Sequence, residues 1–117
     1  MLKRICTIAA VLAAAAVAAG SAGAATPKLA GIVNDQFKIS VTKGGKKVAT
    51  LKAGTYLLVV TDKTSAHNFH LTGPGVNKST SVSGKTTARW KLKLKKGVYR
   101  YVCDPHKSFM KGSFTVR

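Results

Sequence analysis

One short segment near the end of the chain brings together three side chains that bind soft metal ions. Cys103, His106 and Met110 lie within eight residues, at the spacing Cys-x2-His-x3-Met. A thiolate, an imidazole and a thioether are soft or borderline donors, and cysteine with methionine selects copper, above all the reduced ion. The spacing therefore predicts that one loop supplies three ligands to a single copper ion.

A trigonal copper site with a weak axial methionine needs a second histidine. The two upstream candidates, His67 and His70, lie in a segment whose alternation predicts a strand, where they would face opposite sides. His67 shares its side with Phe69 and Leu71, two apolar residues expected in the core. His70 shares its side with Asn68 and is expected at the surface. We therefore predict His67 as the fourth ligand, while a bulge that shifts the alternation by one residue would substitute His70.

The pattern after residue 32 is that of an all-β chain. Alternating or β-branched apolar residues predict strands at 37–42, 48–51, 55–61, 67–72, 86–94, 98–103 and 113–116. Glycine-rich turns separate them, among them a hairpin turn at 43–46 and a break at 73–75. About seven or eight short strands joined in this way predict a Greek-key β-sandwich. Cys103 would point into its core, on the same side of its strand as Tyr99 and Tyr101.

The first 24 residues have the pattern of a signal peptide. Lys3 and Arg4 precede an apolar stretch at 5–19, and Ala-Gly-Ala at 22–24 offers a small-x-small cleavage site. The stretch is shorter than the roughly 20 residues that span a membrane. We predict a cleaved signal at 1–24, a short tether at 25–32, and a folded domain at 33–117. Cleavage would discard Cys6 and send the protein to the periplasm, the cell envelope or the medium, with Cys103 as its only cysteine.

The charge is strongly one-sided. The chain has 20 Lys and Arg residues against three acidic residues, for a formal charge of +17, and loss of the signal would leave +15. Such a charge favours anionic partners, namely acidic proteins, anionic lipid headgroups or cell-wall polyanions. Export argues against nucleic acid. Four cations alternate with apolar residues along one predicted strand: Arg89, Lys91, Lys93 and Lys95. We expect them to form a solvated sheet face, and a dedicated binding surface is the second interpretation.

Two segments, TSAHNF at 64–69 and YRYVCDPH at 99–106 followed by Met110, resemble the blue-copper cupredoxins of the plastocyanin-like bacterial type. The resemblance implies a cupredoxin-like domain with one type 1 copper bound by His67, Cys103, His106 and Met110. It also implies that Asn68 ties the two segments together by hydrogen bonding. The chain differs from plastocyanin in having one residue fewer between the histidine and the methionine, and in lacking an acidic patch.

These features predict an exported, monomeric copper protein that carries single electrons and is not an enzyme. Its redox partner would be acidic at the docking surface, and the lysines would steer the encounter. Pro105, Phe109 and Pro74 are candidates for an apolar docking patch around His106. Three alternatives stay open: a copper-binding or copper-delivery protein with the same ligands, a structural domain with a vestigial site, and association with a membrane or cell wall through charge.

Other roles for Cys103 fit the sequence less well. An inert buried thiol would explain the cysteine alone, but not the two histidines and the methionine that accompany it. Zinc would accept the cysteine and the histidines, but methionine is a poor zinc ligand. A cysteine nucleophile needs a base and an orienting group, and the chain contains no glutamate. Enzymes with several copper sites need more histidines than the three present.

Overall fold

The computed structural model describes residues 25–117, which form two five-stranded sheets. The strands are β1 (Lys28–Val33), β2 (Ile39–Lys43), β3 (Lys46–Lys47), β4 (Thr50–Leu51), β5 (Gly54–Asp62), β6 (His70–Gly73), β7 (Val76–Ser79), β8 (Thr86–Leu94), β9 (Gly97–Val102) and β10 (Lys111–Val116). The predicted all-β, Greek-key sandwich is confirmed. The predicted signal peptide at 1–24 lies outside the described residues. Within 25–117, no helix has the length and apolar character needed to cross a membrane.

The two sheets have the strand orders β3-β2-β1-β5-β8 and β4-β10-β9-β6-β7. Most neighbours are antiparallel, but β1 runs parallel to β5 and β4 runs parallel to β10. The structure has more strands than predicted. Of the predicted strand at 48–51 only Thr50–Leu51 is strand, as β4, and the structure adds β3 directly before that range and β7, whose four residues carry little apolar character.

Strand β8 shows why alternation predicted so much of this fold. Its observed bounds, Thr86–Leu94, are those predicted, and Leu92 and Leu94 are buried while the cations that alternate with the apolar residues of the strand are exposed. Side chains that alternate across a strand must divide between core and solvent. The predicted hairpin turn is also confirmed, because Gly44 and Gly45 both have the positive φ that a tight two-residue β-turn requires.

The prediction of a tether at 25–32 is wrong for most of that range. Residues 28–33 form β1, which pairs with β2 on one side and β5 on the other. The small residues in the strand hid its pattern. Gly31 is small because the Phe69 ring and a Val60 methyl lie only 3.2 Å from where its Cβ would be. Close packing therefore leaves no room for an apolar side chain at residue 31, and the alternation that identifies a strand is interrupted there.

The predicted first strand starts two residues too early. β2 begins at Ile39, so Phe37 lies outside it and does not face the core with Ile39 and Val41 as predicted. The Phe37 backbone has φ = 58°, and half of the side chain is exposed. A residue in the left-handed region cannot continue the extended backbone of a strand.

Aromatic rings fill the core between the sheets. Phe69 stacks on Tyr101 with ring centroids 5.7 Å apart, and Tyr99 stacks on Phe114 at 5.3 Å. The Tyr99 hydroxyl accepts a hydrogen bond from the Lys95 N–H, which anchors the ring at the turn between β8 and β9. The same buried cluster extends to Cys103 and Met110, so the core continues directly into the segment that carries the predicted ligands.

We predict that Gly73→Ala destabilises the sandwich. A Cβ at residue 73 would overlap the ring of Tyr99, which is fully buried and cannot swing aside. Overpacking of this kind lowers the free energy of unfolding by about 1–3 kcal/mol, measurable by chemical denaturation. The control is Gly84→Ala, where the nearest atom to the new Cβ lies 3.8 Å away. Equal stability of the two variants would contradict the prediction.

Candidate metal centre

The segment that follows β9 forms a tightly closed loop. The N–H of His106 donates to the carbonyl of Cys103 at 3.0 Å, and the N–H of Met110 donates to the carbonyl of His106 at 2.8 Å. The N–H of Cys103 in turn donates to the carbonyl of Met110 at 3.0 Å, which joins the two ends. A single 3₁₀ turn at Asp104–His106, with Pro105 inside it, redirects the chain. The loop is therefore fixed by its own backbone.

Cys103 and Met110 lie on the core side of this loop, and His106 lies on its solvent side. Cys103 and Met110 are buried, and within residues 25–117 the Cys103 thiol forms no disulfide. The alternation that buries Tyr99 and Tyr101 also turns Cys103 inward, as predicted. His106 is partly exposed.

His67 reaches the loop from the segment before β6. The adjoining Phe69 is held by Thr80, whose Oγ1 accepts the Phe69 N–H at 2.9 Å and whose own N–H donates to the Phe69 carbonyl. His67 is buried beside Cys103 and His106, whereas His70 is not among the converging donors. The strand predicted at 67–72 starts three residues too early, because β6 begins only at His70, and Asn68 precedes the strand and is buried.

Three donor atoms converge on one point. The Nδ1 atoms of His67 and His106 are 3.0 Å apart, and the Cys103 Sγ lies 3.6 and 3.5 Å from them. A point equidistant from three atoms at these separations lies about 2.0 Å from each, close to the 2.0–2.3 Å bonds that imidazole nitrogen and thiolate sulfur form with Zn²⁺, an ion of the same row. The donor triangle therefore fits a first-row metal ion.

Asn68 joins the two segments that carry the donors. Its Oδ1 accepts the backbone N–H of Asp104 at 2.8 Å, and its Nδ2 donates to the Asp104 carboxylate at 2.7 Å. Nδ2 also lies 3.3 Å from the carbonyl of Thr80. The role implied for Asn68 by the resemblance is confirmed, because these bonds hold residues adjacent to His67 and Cys103 at a fixed separation.

Comparison with known proteins identifies the family. A sequence profile of the Cupredoxin-like domain matches residues 7–116. The chain belongs to the cupredoxin-like family. The resemblance seen in the sequence is thus confirmed at the level of the family. No curated protein matches the sequence of this cupredoxin.

Solved structures of rusticyanin share the fold of this cupredoxin. Reduced rusticyanin at 1.9 Å has 20% sequence identity and a TM-score of 0.50, over 77% of this chain and 78% of that one. A methionine-to-glutamine variant of rusticyanin has 20% identity and a TM-score of 0.51, over 77% and 76% of the two chains. The NMR structure of reduced rusticyanin has 22% identity and a TM-score of 0.51, over the same shares.

The donor set of this cupredoxin is that of a type 1 copper site. Two histidine nitrogens and a cysteine sulfur form the trigonal arrangement, and Met110 follows in the same closed loop. Trigonal His₂Cys with a weak axial methionine is the arrangement of blue-copper electron-transfer centres. The structure therefore brings the four predicted side chains to one end of the sandwich.

The expected apolar patch around His106 has a different membership. Pro74 does not belong to it, because Pro74 packs against Gly97 at the start of β9, and Cys103 follows the other end of that strand. Phe109 does lie beside His106, with ring centroids 5.5 Å apart. The missed member is Phe37, whose ring contacts those of both histidines. The turn-forming pair Asn34-Asp35 before Phe37 was the sequence signal that the extended strand does not include Phe37.

His70 has a partner that the sequence did not reveal. Its Nδ1 lies 2.9 Å from the Asp104 carboxylate, and its Nε2 lies 2.7 Å from the Asn77 Oδ1. These two hydrogen bonds raise the pKa of His70 despite partial burial and the nearby charge of Lys107. Burial acts to raise the pKa of Asp104, but the hydrogen bonds from Asn68 and His70 outweigh it and lower that pKa. Asp104, the residue that follows Cys103, thus forms an ion pair with protonated His70.

We predict that this ion pair makes the stability of the metal-free protein depend on pH. Because folding raises the pKa of His70, its contribution is complete below about pH 6.5 and disappears as pH rises through the folded pKa. The His70 and Asp104 side chains are 25% and 40% exposed, so the contribution is at most about 1 kcal/mol.

Chemical denaturation of wild type and His70→Gln across pH 5.5–8.5 tests this prediction. Glutamine can still donate to Asp104 but does not titrate in this range. The stability difference between the two proteins should be largest at the acid end and should shrink as pH rises. A difference that stays constant with pH would rule out the ion pair as its source.

Proposed function

We propose that this cupredoxin is an exported electron carrier that holds one copper ion between His67, Cys103, His106 and Met110. The observation that carries the proposal is the triangle of donor atoms, 3.0–3.6 Å on a side, at one end of a closed β-sandwich. Bound copper would supply a one-electron couple between its +1 and +2 states. The pattern of residues 1–24 supports export.

In electron transfer, the protein would hold the metal-donor atoms in fixed positions. The backbone hydrogen bonds within the loop, and the Asn68 bonds that tie it to the His67 segment, limit how far any donor can move. A site that cannot rearrange suits both oxidation states of one ion. The partly exposed His106 is the donor closest to solvent, so it offers the shortest route to a partner.

The surroundings of the site support an acidic redox partner. Phe37 and Phe109, both largely exposed, form an apolar surface above the histidines. Lys38 and Lys111 line the same surface pocket as these two rings, and Lys107 lies exposed on the ligand loop. An apolar centre with cations at its edge suits a partner whose docking surface is acidic at the rim. The protein would act as a monomer.

Electrochemistry combined with copper transfer tests the proposal against copper delivery. The electron carrier should give a reversible one-electron voltammogram, fast self-exchange between its oxidised and reduced forms, and slow loss of copper to a competing chelator. A delivery protein would release copper readily to the acceptor and exchange electrons slowly. Rapid release without a reversible couple would overturn the proposed function in favour of delivery.

A further inference from the structure

The backbone at Phe37 is held in a conformation that its side chain disfavours. Among residues 25–117, Phe37 is the only non-glycine residue with positive φ, at 58°. In this left-handed region the Cβ comes too close to the following carbonyl oxygen, so bulky residues are rare there and glycine or asparagine is usual. A phenylalanine kept at such a position indicates that its ring has a use, because strained residues concentrate at functional sites.

The turn around Phe37 is well defined on both sides. The Asn34 Oδ1 accepts the N–H of Gln36 at 3.0 Å and the N–H of Lys38 at 3.1 Å, and the Asn34 N–H donates to the Lys38 carbonyl at 3.1 Å. These bonds close the loop between β1 and β2 across residues 34–38. They fix the direction in which the Phe37 side chain leaves the backbone.

That direction places the ring over the metal centre. The Phe37 ring lies 5.0 Å from the His67 ring at 74° and 5.2 Å from the His106 ring at 88°, both edge-to-face contacts. Phe109 lies 5.9 Å away and contacts His106, but the structure gives it no contact with His67. Phe37 is 50% exposed while His67 is 3% exposed, so the phenyl ring forms the solvent side of the buried histidine.

We infer that Phe37 is a positioning residue that covers the metal centre and holds both histidine rings in place. This inference rests on the proposed function, since it concerns the same copper. The ring excludes water and so disfavours the more highly charged oxidised state, which raises the reduction potential. It also prevents the His106 ring from turning outward, which slows release of the ion. The strained backbone is tolerated because these contacts require it.

Replacement of Phe37 by residues that prefer its backbone conformation separates function from folding. Phe37→Gly and Phe37→Asn relieve the strain and remove the ring, so the metal-free variants should unfold at or above the wild-type temperature. With copper(II) bound, we expect release to excess EDTA to be at least tenfold faster and the reduction potential to be lower. Phe37→Tyr keeps the ring and should restore both properties.

Phe109→Ala is the matched control, since it removes a phenyl group that is also at least half exposed and whose ring contacts only His106 of the two histidines. Its copper release should stay within about twofold of wild type. If wild type turns blue with copper but both Phe37 variants match its release rate and potential, the inference is overturned and the proposed function stands. If wild type does not bind copper, both are overturned.

Discussion

Cys103→Ser should abolish the blue colour of the copper(II) protein and weaken copper binding more than any other single change. The intense colour of such sites comes from charge transfer between a thiolate and copper, and a serine hydroxyl cannot replace the soft, deprotonated sulfur. Loss of a group that merely orients a ligand costs 10–100-fold in affinity, so loss of the thiolate should exceed about 100-fold. Competition with a chelator of known affinity measures this.

The fold should survive this substitution, because Ser is close to Cys in size and shape and the two histidine rings beside the sulfur make its surroundings partly polar. Met110→Leu is the control within the same loop. It removes only the weak axial donor, so it should keep the blue band and change mainly the potential. A Cys103→Ser protein that still turns blue with copper would exclude Cys103 as a ligand.

Asn68→Ala should have the largest effect among the residues around the ligands. It removes the acceptor of the Asp104 N–H and a donor to the Asp104 carboxylate, which is partly exposed and keeps access to water. A backbone N–H left without a partner in a partly buried position costs about 1–3 kcal/mol, so the free energy of unfolding should fall by about that amount. Copper affinity should fall about 10–100-fold because the two ligand segments are no longer tied together.

Asn77→Ala is the matched control for Asn68→Ala. It removes the same type of side chain from the neighbourhood of the same ion pair, but Asn77 is exposed and bonds only to His70. Its effect on stability should stay within about 0.5 kcal/mol. Denaturation and copper competition should therefore separate the two variants clearly. If Asn68→Ala behaved like Asn77→Ala, the hydrogen bonds at Asp104 would not be what holds the site together.

Much of the fold was predictable because alternation is the direct consequence of one buried face. Strand β8, with Leu92 and Leu94 facing the core between exposed lysines, could be assigned without any other information. The inward direction of Cys103 followed from Tyr99 and Tyr101 by the same rule. The loop ligands were predictable for a chemical reason, since a thiol, an imidazole and a thioether at close spacing suit few ions other than copper.

The features that were missed depend on contacts between distant segments. Most of β1 was predicted as a tether, and the small Gly31 that interrupts its apolar pattern is explained by the Phe69 ring and the Val60 methyl packed against it. The segment from His67 onward was predicted to be a strand, but β6 begins only at His70, after the residues that reach the ligand loop. The position of Phe37 depends on the turn capped by Asn34 and on two histidines far along the chain. The turn at Asn34 is a local signal, but the contacts with distant residues are not contained in any local pattern.

Under the proposed function, the cationic face of β8 and the end of the sandwich that holds the metal centre would have different roles in meeting a partner. The cations of β8 lie on an exposed face of the first sheet, whereas the metal centre lies at the end of the sandwich beyond β9. A positive field of this size speeds encounter with an anionic partner at low ionic strength. The exposed rings of Phe37 and Phe109 would then determine the contact that forms above the histidines.

The most direct test of the whole account is the visible spectrum of the purified protein titrated with copper(II). If His67, Cys103, His106 and Met110 bind one copper ion, an intense blue absorption should grow linearly and stop at one copper per chain. That result would show that the donor triangle and Met110 form one type 1 centre. A protein that stays colourless, or that gains only the pale colour of copper bound by nitrogen and oxygen, would contradict the account.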